Sequence, residues 1–347
     1  MVVFDRDFIA LLRRKYDNKP RSHRPDLHFV ATSPDRDAHR AWINSTVEKL
    51  PPTSRPAITD RLREDRHFIT AVSELGVASV LLDAGLTPHY EAELEGLTPD
   101  WYVAPDGAAP GLIIEVWTQQ PRQGESSRRR AWIALIDRIA SIPIDVSLVV
   151  EPSRSGFRPP DPATAKRLCR ALRRWLLGGD RAVGERIEVE GYRLRVVGAS
   201  GTGLRARLAM PGGGRAFDTS KALDQINDKA RKYAAAATAA ECCLAVVLAA
   251  EPSEPLDLGL LRSTLDGSNA ASFALPTSPM DPLMADWTTT LRNEHLPPMF
   301  RPAISAIGWI DTRDAVPSLT LFDNEIAEIA FPRFSAPGLR FESIADS

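Results

Sequence analysis

The apolar positions of this chain change period several times, and each change marks an element. From Arg66 to Leu82, residues Phe68, Ile69, Val72, Leu75, Ala78, Leu81 and Leu82 recur at steps of three and four, which predicts an amphipathic helix; Gly85 stands where a helix stop belongs. The runs HYEAEL (89–94), WYV (101–103) and GLIIEVW (111–117) are short and rich in aromatic and β-branched residues. Glu95-Gly96 and the turn-rich APDGAAPG separate them, so they predict a three-strand meander. Between Arg128 and Ile142 the apolar residues Trp132, Leu135, Ile136 and Ile139 share one helical face, and IDVSLVV (144–150) reads as a buried strand.

Beyond a Pro-rich connector at 152–162, Leu168, Leu172, Trp175 and Leu176 form the core side of an Arg-rich helical segment. IEVEGYRLRVVGAS and GLRARLAM alternate as a hairpin would, and PGGG ends it. The stretch TSKALDQINDKARKYAAAA (219–237) has high helix propensity and an apolar stripe of Leu223, Ile226, Ala230 and Tyr233. The apolar run at 242–250 is a strand expected to join the sheet of the meander. From 251 onward, repeated prolines and short apolar pieces such as AISAIGWI and SLTLF predict a loop-rich tail wrapping the core. PPTSRP at 51–56 breaks the chain early, so residues 1–60 read as an appended helix-and-loop region, 61–250 as the main α/β body and 251–347 as the tail.

Composition bounds the chemistry. At 347 residues and 44% hydrophobic content the chain can bury a substantial core, and its formal net charge of −2 means that any nucleic-acid affinity comes from a local patch. Three cysteines, Cys169, Cys242 and Cys243, carry no CxxC spacing and fit a reducing cytoplasm. The N-terminus is too acidic and too briefly apolar for a signal peptide, and no run approaches a membrane span, so the expectation is a cytoplasmic protein with no membrane contact. The sequence lacks a Walker loop and GxSxG, GASGTG (198–203) is not followed by a lysine, and the six histidines are scattered without a zinc pattern.

Three carboxylates stand out against this background. Glu74 lies on or beside the inward face of its helix, Asp100 follows Pro99 at the opening of a strand, and Glu115 sits inside an apolar run. Plainer readings exist: Asp100 as a turn residue, Glu74 as a solvated one. Glu115 resists such a reading, because an unpaired carboxylate within an apolar strand is costly. Carboxylates converging in such a place suit magnesium, which takes one or two protein carboxylates and fills its octahedron with water and phosphate.

Glutamate on a helix, Pro-Asp opening one strand and glutamate in the next resembles the PD-(D/E)XK nuclease superfamily, the restriction-endonuclease-like enzymes and Holliday-junction resolvases. The expected order of helix, three strands, helix and strand over about residues 64 to 151 is similar to that superfamily's core. Many bacterial proteins with this core continue with an Arg-rich helix, a hairpin and a Lys-bearing helix, as this chain does to about residue 250. The resemblance implies an α/β fold with a restriction-endonuclease-like core, an α/β extension and a loop-rich C-terminal tail. It implies phosphodiester hydrolysis of nucleic acid, DNA foremost, in defence or DNA processing, with Asp100 and Glu115 holding Mg2+ or Mn2+ and Glu74 assisting.

One letter of the signature departs from the pattern: Trp117 stands where the family places lysine. It shares a strand face with Glu115, so its indole is expected to border the metal pocket, where it can stack on a base but donates no charge. The chain strongly prefers arginine, yet keeps Lys221, Lys229 and Lys232 on one helical segment. Lysine relocation is known within the superfamily, which makes Lys229 or Lys232 the candidate surrogate; a solvated face with Asp228 paired to Lys232 is the plainer alternative. Arg128, Arg129 and Arg130 oppose the helix dipole at the start of their helix, a conflict that a bound phosphate would remove. The competing functional reading is a nuclease fold without catalysis that binds nucleic acid or a protein partner within an assembly, or a second copy of itself.

Overall fold

A computed structural model describes residues 2–107, 109–119, 125–151, 158–201, 203, 205–209, 219–250, 303–313 and 316–342. In chain order the helices and strands are α1 (Arg6–Tyr16), α2 (Asp26–Thr32), α3 (Asp37–Lys49), α4 (Arg55–Leu62), α5 (Phe68–Asp83), β1 (His89–Tyr90), β2 (Trp101–Val103), β3 (Gly111–Gln119) and α6 (Glu125–Ala140). They continue with β4 (Ser147–Glu151), α7 (Pro162–Leu177), β5 (Arg186–Val189), β6 (Tyr192–Gly198), β7 (Arg207–Leu208), α8 (Thr219–Ala239), β8 (Cys242–Ala250), β9 (Ala306–Asp311), β10 (Ser318–Asp323) and β11 (Leu339–Glu342). The fold is mixed α/β. The chain forms two compact units, the first from Met1–Phe8, Val30–Gln120 and Ala216–Ser347, the second from Ile9–Phe29 and Pro121–Arg215.

The first unit is built on a mixed sheet in the order β1-β2-β3-β8-β9-β10-β11. β8 pairs in parallel with β3 on one side and with β9 on the other. Central parallel strands are covered on both faces, and CCLAVVLAA meets that demand with an unbroken apolar run. The stripe of α8 docks on one face, where Leu223, Ile226, Ala230 and Tyr233 bury against Ile113, Leu244, Val246 and Trp309. α5 covers the other face. A Cβ on its Gly76 would lie 2.5 Å from Thr312 Cγ2 and 3.1 Å from Ile310 Cγ1, so glycine here permits the close approach that seats the helix. Nearly all of α5 is buried, because α3 and α4 pack on its outer side. A helix apolar around most of its circumference belongs in such an interior.

Three expectations need adjusting. Residues 1–60 are not an appendage to the main body, since α3 and α4 supply the outer layer over α5. The apolar pieces after residue 303 are strands: β9 and β10 pair antiparallel and β10 pairs with β11, extending the sheet beyond β8. The tail is therefore not only loop. The strand IDVSLVV does not join the meander either. As β4 it pairs with β6 and β7 in a separate sheet, in the order β5-β6-β4-β7, which forms the second unit with α6 and α7.

The helix and strand that follow the meander in the first sheet are thus α8 and β8. The second unit's residues 121–215 interrupt the chain between β3 and α8. α7 opens with Asp161 as N-cap, its Oδ1 accepting from the N–H groups of Ala163 (2.9 Å) and Thr164 (3.0 Å), and with Pro162 at the first helical position. Among the described residues no helix is long and apolar enough to cross a membrane.

Candidate metal centre

The site grows from the point where β2 leaves β3. Trp101 lies opposite Ile114 and Tyr102 opposite Ile113, so the register carries Asp100 to Glu115 one step beyond the last pair. β2 ends there while β3 continues to Gln119 beside β8. The side chains stitch the opening: the Asp100 N–H donates to Glu115 Oε1 (3.2 Å), and the Val116 N–H donates to Asp100 Oδ2 (2.7 Å). A main-chain donor left by the departing strand is thereby satisfied by a carboxylate.

Lys229 reaches this pair from α8. Its Nζ donates to Glu115 Oε2 in an ion pair, with the Glu115 residue only 1% exposed. Lys229 flanks the buried Ala230, so the same stripe that seats α8 on the sheet aims the ammonium at the carboxylate. One turn further, the Tyr233 hydroxyl donates to Thr98 O (3.1 Å) and lies in hydrogen-bonding reach of Glu115. Burial and that carboxylate hold its phenol well above the usual value. Lys232 is placed differently: it is exposed, with Nζ 2.8 Å from the Tyr233 hydroxyl and 4.5 Å from the ring centroid.

Glu74 enters from α5 and is 1% exposed. Its Oε1 accepts from Arg61 Nη2 (2.9 Å) and its Oε2 from the Tyr90 hydroxyl (2.7 Å); Arg61 Nη1 also reaches Tyr90 Oη (2.5 Å) and Glu91 Oε1 (3.1 Å). The Trp101 indole donates to the main-chain oxygen of Glu74 (2.8 Å), which ties α5 to the strand that carries Asp100. Burial opposes the charge on Arg61, but Glu74, Tyr90, Glu91 and Asp100 together outweigh it and hold the guanidinium above its ordinary value.

Three carboxylates thus gather with two cations. Burial, reinforced by the charge of Asp100, pushes Glu74 up to about 8 against the pull of Arg61 and the Tyr90 hydrogen bond. Asp100 is pushed up to about 6 by burial and by Glu115, opposed by the Val116 N–H, Lys229 and Arg61. Both shifts say that burial and the neighbouring carboxylate together outweigh what the site's own cations offset. A further proton or an added cation would relieve it. Among the described residues no group of three His, Cys, Asp or Glu side chains is placed to hold a metal. Two hard oxygen donors with an excess of negative charge nevertheless fit magnesium or manganese, which complete their shells with water and phosphate.

Trp117 is half-buried against the apolar cluster beneath α8, on the face of Ile113. Arg128, Arg129 and Arg130 belong to the second unit, in the first turns of α6, where Arg130 Nη2 bonds Ser127 Oγ (3.2 Å). The GASGTG loop turns the N–H groups of Ser200 (2.8 Å) and Gly201 (3.1 Å) onto Asp145 Oδ1, so a carboxylate already occupies that backbone nest. Sequence reasoning misses Arg61, Tyr90 and Tyr233 as site residues; the apolar stripe of the 219–237 helix marks Tyr233 only as a core side chain. The chain matches no family model, no curated protein and no solved structure.

Proposed function

We propose that the first unit is a divalent-metal-dependent nuclease of restriction-endonuclease-like architecture, acting on phosphodiesters of nucleic acid. The observation that carries the reading is Asp100 facing Glu115 across the β2/β3 ladder with Lys229 paired to the same glutamate. The order α5, β1 to β3, α8 and β8 supports it, with the second unit as an insertion between the strand of Glu115 and the helix of Lys229. Asp100 and Glu115 would hold Mg2+ or Mn2+; when bound, the metal lowers the pKa of a coordinated water and offsets phosphate charge. Lys229 takes the role that Trp117 cannot fill, offering a compact ammonium to the charge that develops on the phosphoryl oxygens. Glu74, fixed by Arg61 and Tyr90, feels the charge of Asp100 and shares the influence of Arg61 with it.

The test is cleavage of single- and double-stranded DNA and RNA in magnesium or manganese, with Glu115→Ala as control, alongside calorimetric titration with manganese. The expected result is metal-dependent cleavage by the parent and loss of both cleavage and metal binding in the variant. Equal manganese affinity in the two proteins would remove Glu115 from the ligand set. A second reading, a nuclease fold without catalysis, draws on the same site: Asp100 N–H and Lys229 already engage both Glu115 oxygens. It predicts a parent that binds no manganese and cuts nothing.

A further inference from the structure

The small net charge of the whole chain conceals a division. The second unit, Ile9–Phe29 with Pro121–Arg215, holds 25 Lys and Arg against 11 Asp and Glu, a formal charge of +14; the rest of the chain holds 18 against 34, a formal charge of −16. Within the second unit the charge concentrates on α7. Lys166, Arg167, Arg170, Arg173 and Arg174 are all exposed and, at 100° per residue, fall within about a third of the helix circumference. Ala165, Leu168, Leu172 and Leu176 occupy the opposite side and are buried in the core of this unit. Between Pro162 and Leu177 there is no acidic residue. Arg167 pairs with Glu190 (2.9 Å), whereas Lys166, Arg170, Arg173 and Arg174 make no ion pair among the described residues. Arg138 of α6 lies close enough to Cys169 to act on its thiol, so a further exposed cation borders the row.

Like charges three and four residues apart destabilise a helix, and α7 carries several such pairs without an internal carboxylate to offset them. An external polyanion removes that cost. We propose that the exposed face of α7 is a docking surface for the phosphate backbone of nucleic acid. Lys166 to Arg174 spans about 12 Å of helix axis, enough to meet more than one phosphate. Four of its five cations are arginines, whose planar forks bind phosphate oxygens in pairs. An anionic membrane is the poorer match, because the apolar stripe that a surface helix would insert is already buried. The proposal shares the nucleic-acid partner of the nuclease reading but does not require cleavage.

The full chain carrying Lys166→Gln, Arg170→Gln, Arg173→Gln and Arg174→Gln should keep its fold, since these side chains lie outside the core. Binding to fluorescein-labelled duplex and single-stranded DNA is read by anisotropy across a salt series. Loss of four phosphate contacts is expected to reduce the slope of log affinity against log salt by about three to four for duplex. Manganese affinity of the quadruple variant should stay at the parent value, so failure of this proposal and failure of the metal site read out separately. An unchanged slope in the quadruple variant overturns the proposal. So does an equal loss when Arg128, Arg130, Arg205 and Arg207 are changed to Gln instead, which would mean that total charge governs binding. Parent protein that sediments with phosphatidylserine vesicles but shows no DNA binding also overturns it.

Discussion

The two units handle charge in opposite ways. In the first, carboxylates are drawn inside and met one at a time: Arg61 on Glu74, Lys229 on Glu115, a main-chain N–H on Asp100. In the second, arginines stand outside on α7 and most of that row meets no carboxylate among the described residues. Buried charge is expensive, so each ion needs a fixed partner and small displacements alter its protonation. Exposed charge is cheap but screened by salt, so it acts by number and arrangement. The difference fits the two proposals, short-range chemistry in the first unit and long-range attraction at α7.

The most severe test of the short-range half is Lys229→Ala. Removing a positioned cation that acts on transition-state charge lowers turnover on the order of a hundred- to a thousandfold, with little change in KM if the contact belongs mainly to the transition state. A variant that retains full turnover would leave the metal as the sole electrophile and sink the relocation of the lysine. Arg61→Met probes the partner of Glu74. Breaking a buried ion pair costs about 3–5 kcal/mol, and the partial exposure of Arg61 lowers the expectation to roughly 2–3 kcal/mol in a urea melt at pH 9, where Glu74 is ionised. At pH 6 the glutamate can take a proton and the loss should shrink. Equal losses at both pH values would mean that Arg61 acts through packing instead of charge.

Per pH unit, the slope of stability is a smaller effect. Folding raises Glu74 from an ordinary value near 4.5 to about 8, so across that window the folded state binds the proton more tightly than the unfolded chain. Stability is therefore full below the lower value and declines as pH rises through the upper one, by up to about 1.4 kcal/mol per pH unit between the two. Asp100 adds a decline of the same sign between its ordinary value near 3.8 and about 6. Glu74→Gln should flatten the upper part of the curve. Saturating manganese should flatten the lower part as well, since a cation at Asp100 favours its ionised form. A stability that rises with pH between 5 and 8 would contradict the arrangement of charges.

Local pattern made much of the first unit readable. The period of α5 and the aromatic strands around Asp100 and Glu115 depend on neighbours in sequence, and Glu115 stood out because an acid in an apolar run demands a partner. Sheet membership was not readable in the same way. In β4 only Leu148 is fully buried, whereas β8 is buried nearly throughout; both are apolar runs, but one lies in a small sheet and the other in the centre of a large one. Periodicity reports how many faces are covered, not by what. β9 and β10 are six residues each, and the prolines around them hid two strands, of which β9 pairs with β8 more than fifty residues earlier in the chain. Arg61 gave no signal, since its tie to Glu74 depends on how α4 packs on α5.

Lys232→Ala should have the smallest effect, and for that reason it sharpens the contrast with Lys229. The two lysines share α8 and lie three residues apart, yet one pairs with a buried glutamate while the other rests, exposed, against the Tyr233 hydroxyl and ring. An exposed ammonium is solvated before and after the change, so stability should stay within about 0.5 kcal/mol of the parent and turnover within about twofold. Its removal leaves the Tyr233 hydroxyl its bond to Thr98 O, so the ring should keep its place beside Glu115. If turnover falls in Lys232→Ala as far as in Lys229→Ala, the ion pair at Glu115 is a structural clasp and the exposed lysine is the one that meets the phosphate. Cleavage rates of the two single variants at saturating metal decide between those roles.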